Sequence, residues 1–369
     1  MTNFKYRRLA DKIKQDILTG DLKLGQQIPI EDELMELFAM SRNTVRQAVK
    51  LLVNDGYLVK IRGNGTFVAE SLPQAKSGEE IGRRRIGVVL NHVNTYIFPS
   101  LLMGISDHLF EKDYSLVIRD THNHITREEQ VLSELLEADL EGLIIEPARS
   151  GLPRVNYDLY RRIEETIPCV LVHAQLSGFR FPSVAVDDAE GFELLVDHLV
   201  SMGHTDIAAF CKSDEQTGVK RFLGYAAGLR KHGLKLDEGR VLWFADEDIP
   251  VLFSEANMSR IFSVIDKCTA VMCFNDDTAG RFYAFLEKNR IRVPGDLSVV
   301  GFDDSMEGGV FPPVTTIRHP KYELGKAAGK AVLDLIAEPS MDTSRRFAPV
   351  LIDRGSVCGI PQSSDLADR

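Results

Sequence analysis

At 369 residues, with 44% hydrophobic and 27% charged side chains, the chain is too long for one ordinary core. Its balance is that of a folded globular protein and excludes a disordered, collagen-like or coiled-coil chain. A net charge of −10, taken as an average, disfavours a nucleic-acid partner.

The opening residues MTNFKYRRLADKIK contain no apolar h-region, and no run of 18 apolar residues follows, so neither a signal peptide nor a membrane-spanning helix is expected. Five cysteines, odd in number and without C-x-x-C spacing, fit neither a disulfide framework nor a zinc site, and imply reduced thiols in a cytoplasm.

Tyr6, Leu9, Ile13 and Ile17 recur at helical spacing, and Thr19-Gly20 ends that segment. A second helix is expected to start near Ile30, after Pro29, with Leu34, Leu37 and Phe38 inward. Ser41 then reads as the N-cap of a third helix with Val45, Ala48, Val49 and Leu52 inward and Gly56 beyond its end. Only Ala39, Met40 and the cap separate the last two helices, which is a tight helix-turn-helix. Leu58–Arg62 and Thr66–Val68, flanking Gly63-Asn64-Gly65, read as a β-hairpin. Three helices and a hairpin make a winged helix-turn-helix. Arg42, Asn43, Thr44, Arg46 and Gln47 fall on the outer face and first turns of the third helix. Arginine suits guanine O6/N7, amides suit adenine, and short hydroxyls suit phosphate. Arg62, beside Gly63 and Gly65, places a cation at the wing.

The run Ile28-Pro29-Ile30-Glu31, Ser41-Arg42-Asn43-Thr44-Val45-Arg46 and Gly63-Asn64-Gly65-Thr66-Phe67-Val68 resembles the GntR-type winged-helix repressors over residues 4–69. The resemblance implies DNA contacts from Arg42, Thr44 and Arg46, and a wing served by Arg62 and Gly65. Leu24-Gly25 departs from the common Pro-Gly. Glu31-Asp32-Glu33 lacks an arginine that some members use on DNA.

Residues 71–85 are polar, contain Pro and Gly, and carry no apolar periodicity, so they read as a linker between a domain at 1–70 and another at 86–369. Charge divides at the same place. Residues 1–85 carry 15 Lys+Arg against 11 Asp+Glu, a net of +4, and the remainder is −14.

From Ile86-Gly-Val-Val-Leu90 onward, apolar runs alternate with amphipathic stretches. Leu116–Ile118, Gly142–Ile145, Cys169–Val172, Ile207–Phe210, Ala270–Phe274 and Ser298–Gly301 are strand-like, and between them lie patterns such as Phe192, Leu195, Val196 and Leu199. This is the α/β class, with parallel sheets covered by helices on both faces and enough chain for two lobes. Polar residues end the runs, where open α/β sheets bind ligands. Asn91, Glu146, Asp187-Asp188, Asn275-Asp276-Asp277 and Asp303-Asp304 are so placed, and Arg221 opens a helix. Carboxylates, an amide and a guanidinium beside an aromatic face suit a polyhydroxylated ligand. Tyr96, Phe98, and Trp243 or Phe244 are the candidate faces. The same carboxylates would suit a glycoside hydrolase, and that reading stays open. No G-x-S-x-G, Walker A, H-E-x-x-H or G-x-G-x-x-G motif sits at a strand–helix junction, so no cofactor or metal is expected.

Ile86-Gly-Val-Val, Gly142-Leu-Ile-Ile, Val184-Ala-Val-Asp187-Asp188, Phe274-Asn275-Asp276, Ser298-Val-Val-Gly-Phe-Asp-Asp304 and Thr315-Thr316-Ile317 resemble the LacI/GalR-type effector domains, which are related to periplasmic sugar-binding proteins. The likeness spans residues 86–355 and implies a two-lobed, type I periplasmic-binding-protein-like sensor and a non-enzymatic role. It implies sugar contacts from Arg221, Asp276 and His319, and scaffold roles for His198 and His204. A GntR-type reader joined to such a sensor resembles the arabinose-responsive repressors that use this combination. Operator DNA, a sugar inducer (L-arabinose by that resemblance) and a homodimer are the partners implied.

Overall fold

The structure, a computed structural model, describes residues 9–10, 12–17, 21–38, 40–54, 56–61, 65–69, 84–153, 155–305 and 313–360, with only the backbone of Asn43 and Asn54. The chain divides into two compact units, Met1–Gly82 and Arg83–Arg369.

In the first unit Leu9, Ile13 and Ile17 are buried with Leu34, Val45, Ala48, Val49 and Leu52 in one apolar cluster. The helices Glu31–Phe38 and Arg42–Asn54 form the helix-turn-helix. Ser41 caps the second of them, its Oγ accepting from Thr44 N at 3.4 Å. Leu37, expected inside, is 68% exposed. In an eight-residue helix, Leu34 and Phe38 share one face at i, i+4, and Leu37 falls beyond the edge of that stripe. Strands β1 (Leu58–Ile61) and β2 (Gly65–Val68) pair antiparallel, and Gln27 bridges to Phe67 as a third edge. Gly65 has φ +120°, and a Cβ there would lie 2.4 Å from Gln27 Nε2, so this corner requires glycine. Arg62, Gly63 and Asn64 lie outside the described residues, as do Tyr6, Thr19-Gly20 and residues 70–83 of the linker region.

The second unit opens on β3 (Arg84–Leu90), two residues earlier than the apolar run alone implied. Arg84 and Arg85 pair with Tyr114 and Ser115 through the backbone ladder, which is indifferent to their charge. The strand β4 (Tyr114–Asp120) flanks β3 on one side, and β5 (Gly142–Ile145), β6 (Cys169–Val172), β7 (Ser183–Val186) and β13 (Arg345–Phe347) follow on the other. All pairs in this six-stranded sheet are parallel. A second parallel sheet holds β8 (Ile207–Lys212) between β9 (Val241–Phe244) and β10 (Ala270–Met272), with β11 (Ser298–Val300) outside β10. The strands β12 (Thr316–Arg318) and β14 (Val350–Ile352) form a small antiparallel pair. The fold is therefore α/β with two parallel sheets, as the alternation of strand and helix implied.

Two helices approach each other closely where glycine removes the side chain. On the helix Phe98–Phe110, a Cβ at Gly104 would meet Tyr322 O at 2.0 Å, and on the facing helix Lys321–Ala337, Gly325 approaches Leu101 O equally. In β9, Leu242 and Phe244 turn inward, whereas Trp243 is partly exposed with its ring 4.9 Å from that of Phe222.

Candidate functional site

Each parallel sheet reverses its strand order once. In the first, successive connections leave β3 in opposite directions, towards β4 and β5. In the second they do so at β8. Crevices beyond the carboxyl ends of strands at such points are where open α/β sheets bind ligands. A cavity of ≈ 580 Å³ lies there, walled by the segments that follow β3, β5, β6, β8, β9, β10 and β11.

Arg221 is its most heavily committed side chain. It is 4% exposed, its Nε donates to Asp188 Oδ1 at 2.9 Å, Nη1 to Phe274 O at 2.7 Å and Nη2 to Asp303 Oδ1 at 3.2 Å. Its guanidinium lies 3.8 Å over the ring of Phe302 and 4.6 Å over that of Phe274. Tyr96, from the loop after β3, donates to Asp303 Oδ2 at 2.6 Å and so ties the first sheet's loop to the second sheet's. Burial, with Asp303 and Asp276 beside it, pushes the Tyr96 phenol well above its usual range, so it remains a donor. Burial raises the Asp188 carboxyl even though Arg221 opposes the shift.

A second polar cluster surrounds Lys212 at the end of β8. Its Nζ donates to Asp246 Oδ1 at 2.6 Å and to Glu215, and it is 3% exposed. His92, on the opposite wall, reaches Asp246 at 3.4 Å. Although burial alone would raise it, Asp246 is held well below the usual carboxylate range by His92 and Lys212.

A third group joins Glu146, His173 and His319. His173 Nδ1 faces Glu146 Oε1 at 2.8 Å, and its Nε2 faces His319 Nε2 at 3.2 Å. Four non-glycine residues in this wall (Tyr96, His122, His173 and Asp303) have positive φ, of 61°, 49°, 62° and 98°. Such backbone costs about 1–3 kcal/mol per residue and collects where a site's geometry is imposed by its surroundings.

Of the residues singled out from sequence, Tyr96, Phe98, Glu146, Arg221, Asn275 and His319 all line the cavity. Asn275 also caps the helix Asp276–Lys288, accepting from Thr278 N at 2.9 Å. Asp276, expected in the cavity, lies behind its wall. Its Oδ1 accepts from Thr316 Oγ1 at 2.8 Å and its Oδ2 from Ser305 N at 2.9 Å, and it is fully buried. Consecutive residues in a first helical turn point about 100° apart, so the wall takes Asn275 and Asp277 and not the residue between them. Phe244 supplies the later aromatic face, and Trp243 points away. Asp187 is the N-cap of the helix Asp188–Ser201, accepting from Glu190 N at 3.1 Å, and Asp304 pairs with Arg318 and Arg354. His204 bonds Thr269 Oγ1 at 2.9 Å and stands outside the cavity wall, as His198 does.

Sequence reasoning missed Lys212, His92 and His173. The available signal was a polar residue at the carboxyl end of a continuous apolar run, which Lys212 and His173 both are.

Asp276 carries a pH dependence of its own. Burial, with Asp303 and Asp304 nearby, lifts its carboxyl to about 7 against the opposing pull of Ser305 N and Thr316. The unfolded value is about 3.9. Between the two the folded chain holds a proton that the unfolded chain lacks, so stability from this group is full below the lower value and is lost as pH rises towards 7. The slope is at most about 1.4 kcal/mol per pH unit. Asp276→Asn is expected to reduce the fall in stability over that window, read by urea unfolding of the full chain at a series of pH values.

In the first unit, Arg42 pairs with Asp32, and Arg46 Nε donates to Glu31 Oε2 at 2.8 Å. The acidic turn Glu31-Asp32-Glu33 thus pairs with the two arginines of the next helix. Both arginines remain more than half exposed, and Gln47 is exposed too. Thr44 is only 8% exposed, and its hydroxyl lies 2.8 Å from Ser41 Oγ, so it is engaged in the turn. The side chains of Asn43 and Arg62 are outside the described residues.

Two family models match parts of the chain. Residues 5–68 match the model of the bacterial regulatory proteins of the gntR family, and residues 196–357 match that of the periplasmic binding protein-like domain. The chain is 34% identical to the arabinose metabolism transcriptional repressor of Geobacillus stearothermophilus over 95% of its own length and 97% of that protein's. It is 32% identical to the repressor of the same name from Halalkalibacterium halodurans, over 92% and 91%. Among solved structures, the transcription regulator CcpA of Lactococcus lactis superposes with a TM-score of 0.65 at 20% identity, covering 75% of this chain and all of that one. A LacI family regulator from Enterococcus faecium with bound ribose gives 0.62 at 24%, again over 75% and 100%. At these identities the structures speak for the fold. No helix among the described residues is long and apolar enough to cross a membrane.

Proposed function

Because this chain belongs to the family of sugar-metabolism transcriptional repressors that includes the arabinose metabolism repressors, with a DNA-binding and a sugar-binding domain and no enzymatic role, we propose that its inducer is L-arabinose, taken up in the cavity between the two sheets. The observation that carries this reading is the cavity itself. Arg221, flanked by Asp188 and Asp303, meets Tyr96, Phe98 and Asn275 around a space that suits a small polyhydroxylated ring. Carboxylates and amides pair with hydroxyls, and the aromatic faces cover C–H surface. The names of the relatives in two bacteria supply arabinose as the sugar.

Arg42, Asn43, Thr44, Arg46 and Gln47 would read a palindromic operator, with Arg62 and Gly65 at the wing. Thr44, buried in the turn, would act by holding the helix start. A cytoplasmic homodimer would present two reading heads to two half-sites. Sugar acts only by differing in affinity for two arrangements of the sensor, an effect of about 5–150-fold on operator binding.

Calorimetric titration of the full chain with a panel of pentoses, with and without operator DNA, tests this. L-arabinose is expected to bind and to lower operator affinity. Operator affinity unchanged by every pentose would overturn the assignment.

A further inference from the structure

Loops from both parallel sheets meet along one flank of the cavity. The six-stranded sheet sends Asn123, after β4, residues 149–151, after β5, and Gln175, after β6. The four-stranded sheet sends residues 213–216, after β8, and Glu247, after β9. The helix Gln216–Lys231, which carries Thr217 and Arg221 to the cavity wall, begins in this seam. Glu215, at its N-cap position, makes no side-chain capping bond, and the cap comes from the other sheet's loop: Gln216 N donates to Ser150 Oγ at 3.0 Å. The Gln216 side chain crosses the seam as well, its Nε2 donating to Gln175 O at 2.8 Å and its Oε1 accepting from Gln175 N at 2.7 Å. Asn123 Nδ2 donates to Asp214 Oδ2 at 3.0 Å, and Arg149 pairs with Glu247.

Gly151 lets the loops come this close. Its N donates to Asp214 O at 3.1 Å, and a Cβ on it would stand 2.8 Å from both Ser213 O and Glu215 C. Both are backbone atoms of the facing loop, which cannot turn aside as a side chain can. Ser150, Gly151, Gln175 and Gln216 stand outside the cavity wall, whereas Glu215, Thr217 and Glu247, beside or paired with the seam, form part of it.

The two flanks of the cavity differ in kind. The chain passes between the sheets after β7 and after β12, at the β7–β13 end of one sheet and the β11 end of the other. There Val172, Val186, Phe302 and Ile317 share one apolar cluster, and parting would expose apolar surface. In the seam the crossing contacts are hydrogen bonds and an ion pair. Water replaces each of these when the loops separate, so a polar junction of this kind parts readily.

We propose that this seam is a clasp that closes once the cavity holds its sugar, and that Ser150, Gly151 and Gln216 govern how tightly the sugar is held without touching it. They are positioning residues, acting through the helix start that brings Thr217 and Arg221 to the wall. The proposal rests on the reading of the cavity as a sugar site. A ligand that touches Phe98 and Glu146 on one side and Arg221 and Asn275 on the other is fully bound only when the loops are together. Its affinity is then the intrinsic one reduced by the fraction of sugar-free chains whose seam is closed. That fraction is the same for every sugar. A weaker clasp therefore lowers all affinities by one factor and leaves the ranking of sugars unchanged.

Gly151→Ala is the sharpest test. The backbone at Gly151 lies outside the left-handed region, so alanine adds no strain of its own, and its methyl obstructs only the closed seam. Calorimetry and stopped-flow mixing of the full chain are made with each pentose that the wild type binds. G151A is expected to bind about tenfold more weakly, mostly through faster release. Urea unfolding of the sugar-free chain is expected to be unchanged. Gln216→Ala loses two bonds that cross the seam and is expected to weaken binding about tenfold as well, by the same factor for every sugar. Ser150→Ala is expected to weaken binding, and Ser150→Thr, which keeps the hydroxyl, to restore it. Wild-type affinity in G151A would overturn the clasp. So would a sugar-free stability that falls as far as the affinity does, because the seam would then be shut at all times. Losses in Q216A that differ from one sugar to another would put the residue in contact with the ligand and overturn it too. A wild-type chain that binds no pentose would instead overturn the sugar reading, and the clasp with it.

Discussion

Arg221→Met is expected to abolish sugar binding and to lower the stability of the sensor by about 3–5 kcal/mol. The guanidinium is the partner of two buried carboxylates, Asp188 and Asp303, and of the Phe274 carbonyl. Methionine fills much of the volume but leaves the two anions facing each other without a cation, and an uncompensated buried charge is what makes broken ion pairs expensive. The loss of binding follows from the same contacts, because Asp303 also fixes Tyr96 from the loop after β3. Urea unfolding and calorimetry on the same variant measure the two effects. Adding Asp188→Asn and Asp303→Asn to the methionine variant is expected to return part of the stability and none of the binding. Wild-type sugar affinity in R221M would remove Arg221 from the site.

The second large effect is expected on the other unit. Replacing Arg42 and Arg46 together by alanine is expected to lower operator affinity by about tenfold to a hundredfold for each arginine that contacts a base. Sugar binding should not change. Stability should hardly change either, because both arginines are exposed and surface ion pairs such as those with Asp32 and Glu31 contribute about 0–1 kcal/mol. Titration of operator DNA with the double variant, beside a sugar titration of the same preparation, separates the two functions. Undiminished operator affinity would move the reading surface elsewhere on the unit.

Much of the fold was legible because its signals are local. The cap at Ser41, the spacing of Val45, Ala48, Val49 and Leu52, and the uninterrupted apolar runs of the parallel strands each follow from a short window of chain. The short returning strands β12, β13 and β14 were not legible. Three residues each, with exposed Arg345, Arg346 and Val350, they are strands only because β7 and one another are there to pair with. Within the candidate site, the residue types and the strand ends were readable, and the choice between neighbours was not. Asp276 and Asp277 are adjacent in sequence, as are Asp303 and Asp304, and the direction each takes is fixed by loops far along the chain. Asp303 reaches Arg221 from 82 positions away, and Asp304 turns to Arg318 and Arg354. Lys212 and His173 end apolar runs as the other site residues do, but what they do there was not legible for a related reason: a cation or an imidazole is tolerated in such a place only with partners that tertiary structure delivers.

The chain contains one tryptophan, Trp243, on the outward side of the strand whose next residue, Phe244, faces the cavity. Indole emission from this protein therefore has a single origin, one peptide bond from the cavity wall and within the sensor unit. The ring already packs on Phe222, of the helix that also carries Arg221. The protein thus carries an optical probe of its own, placed to report on the sensor without a label and in a unit separate from the one that carries the reading helix.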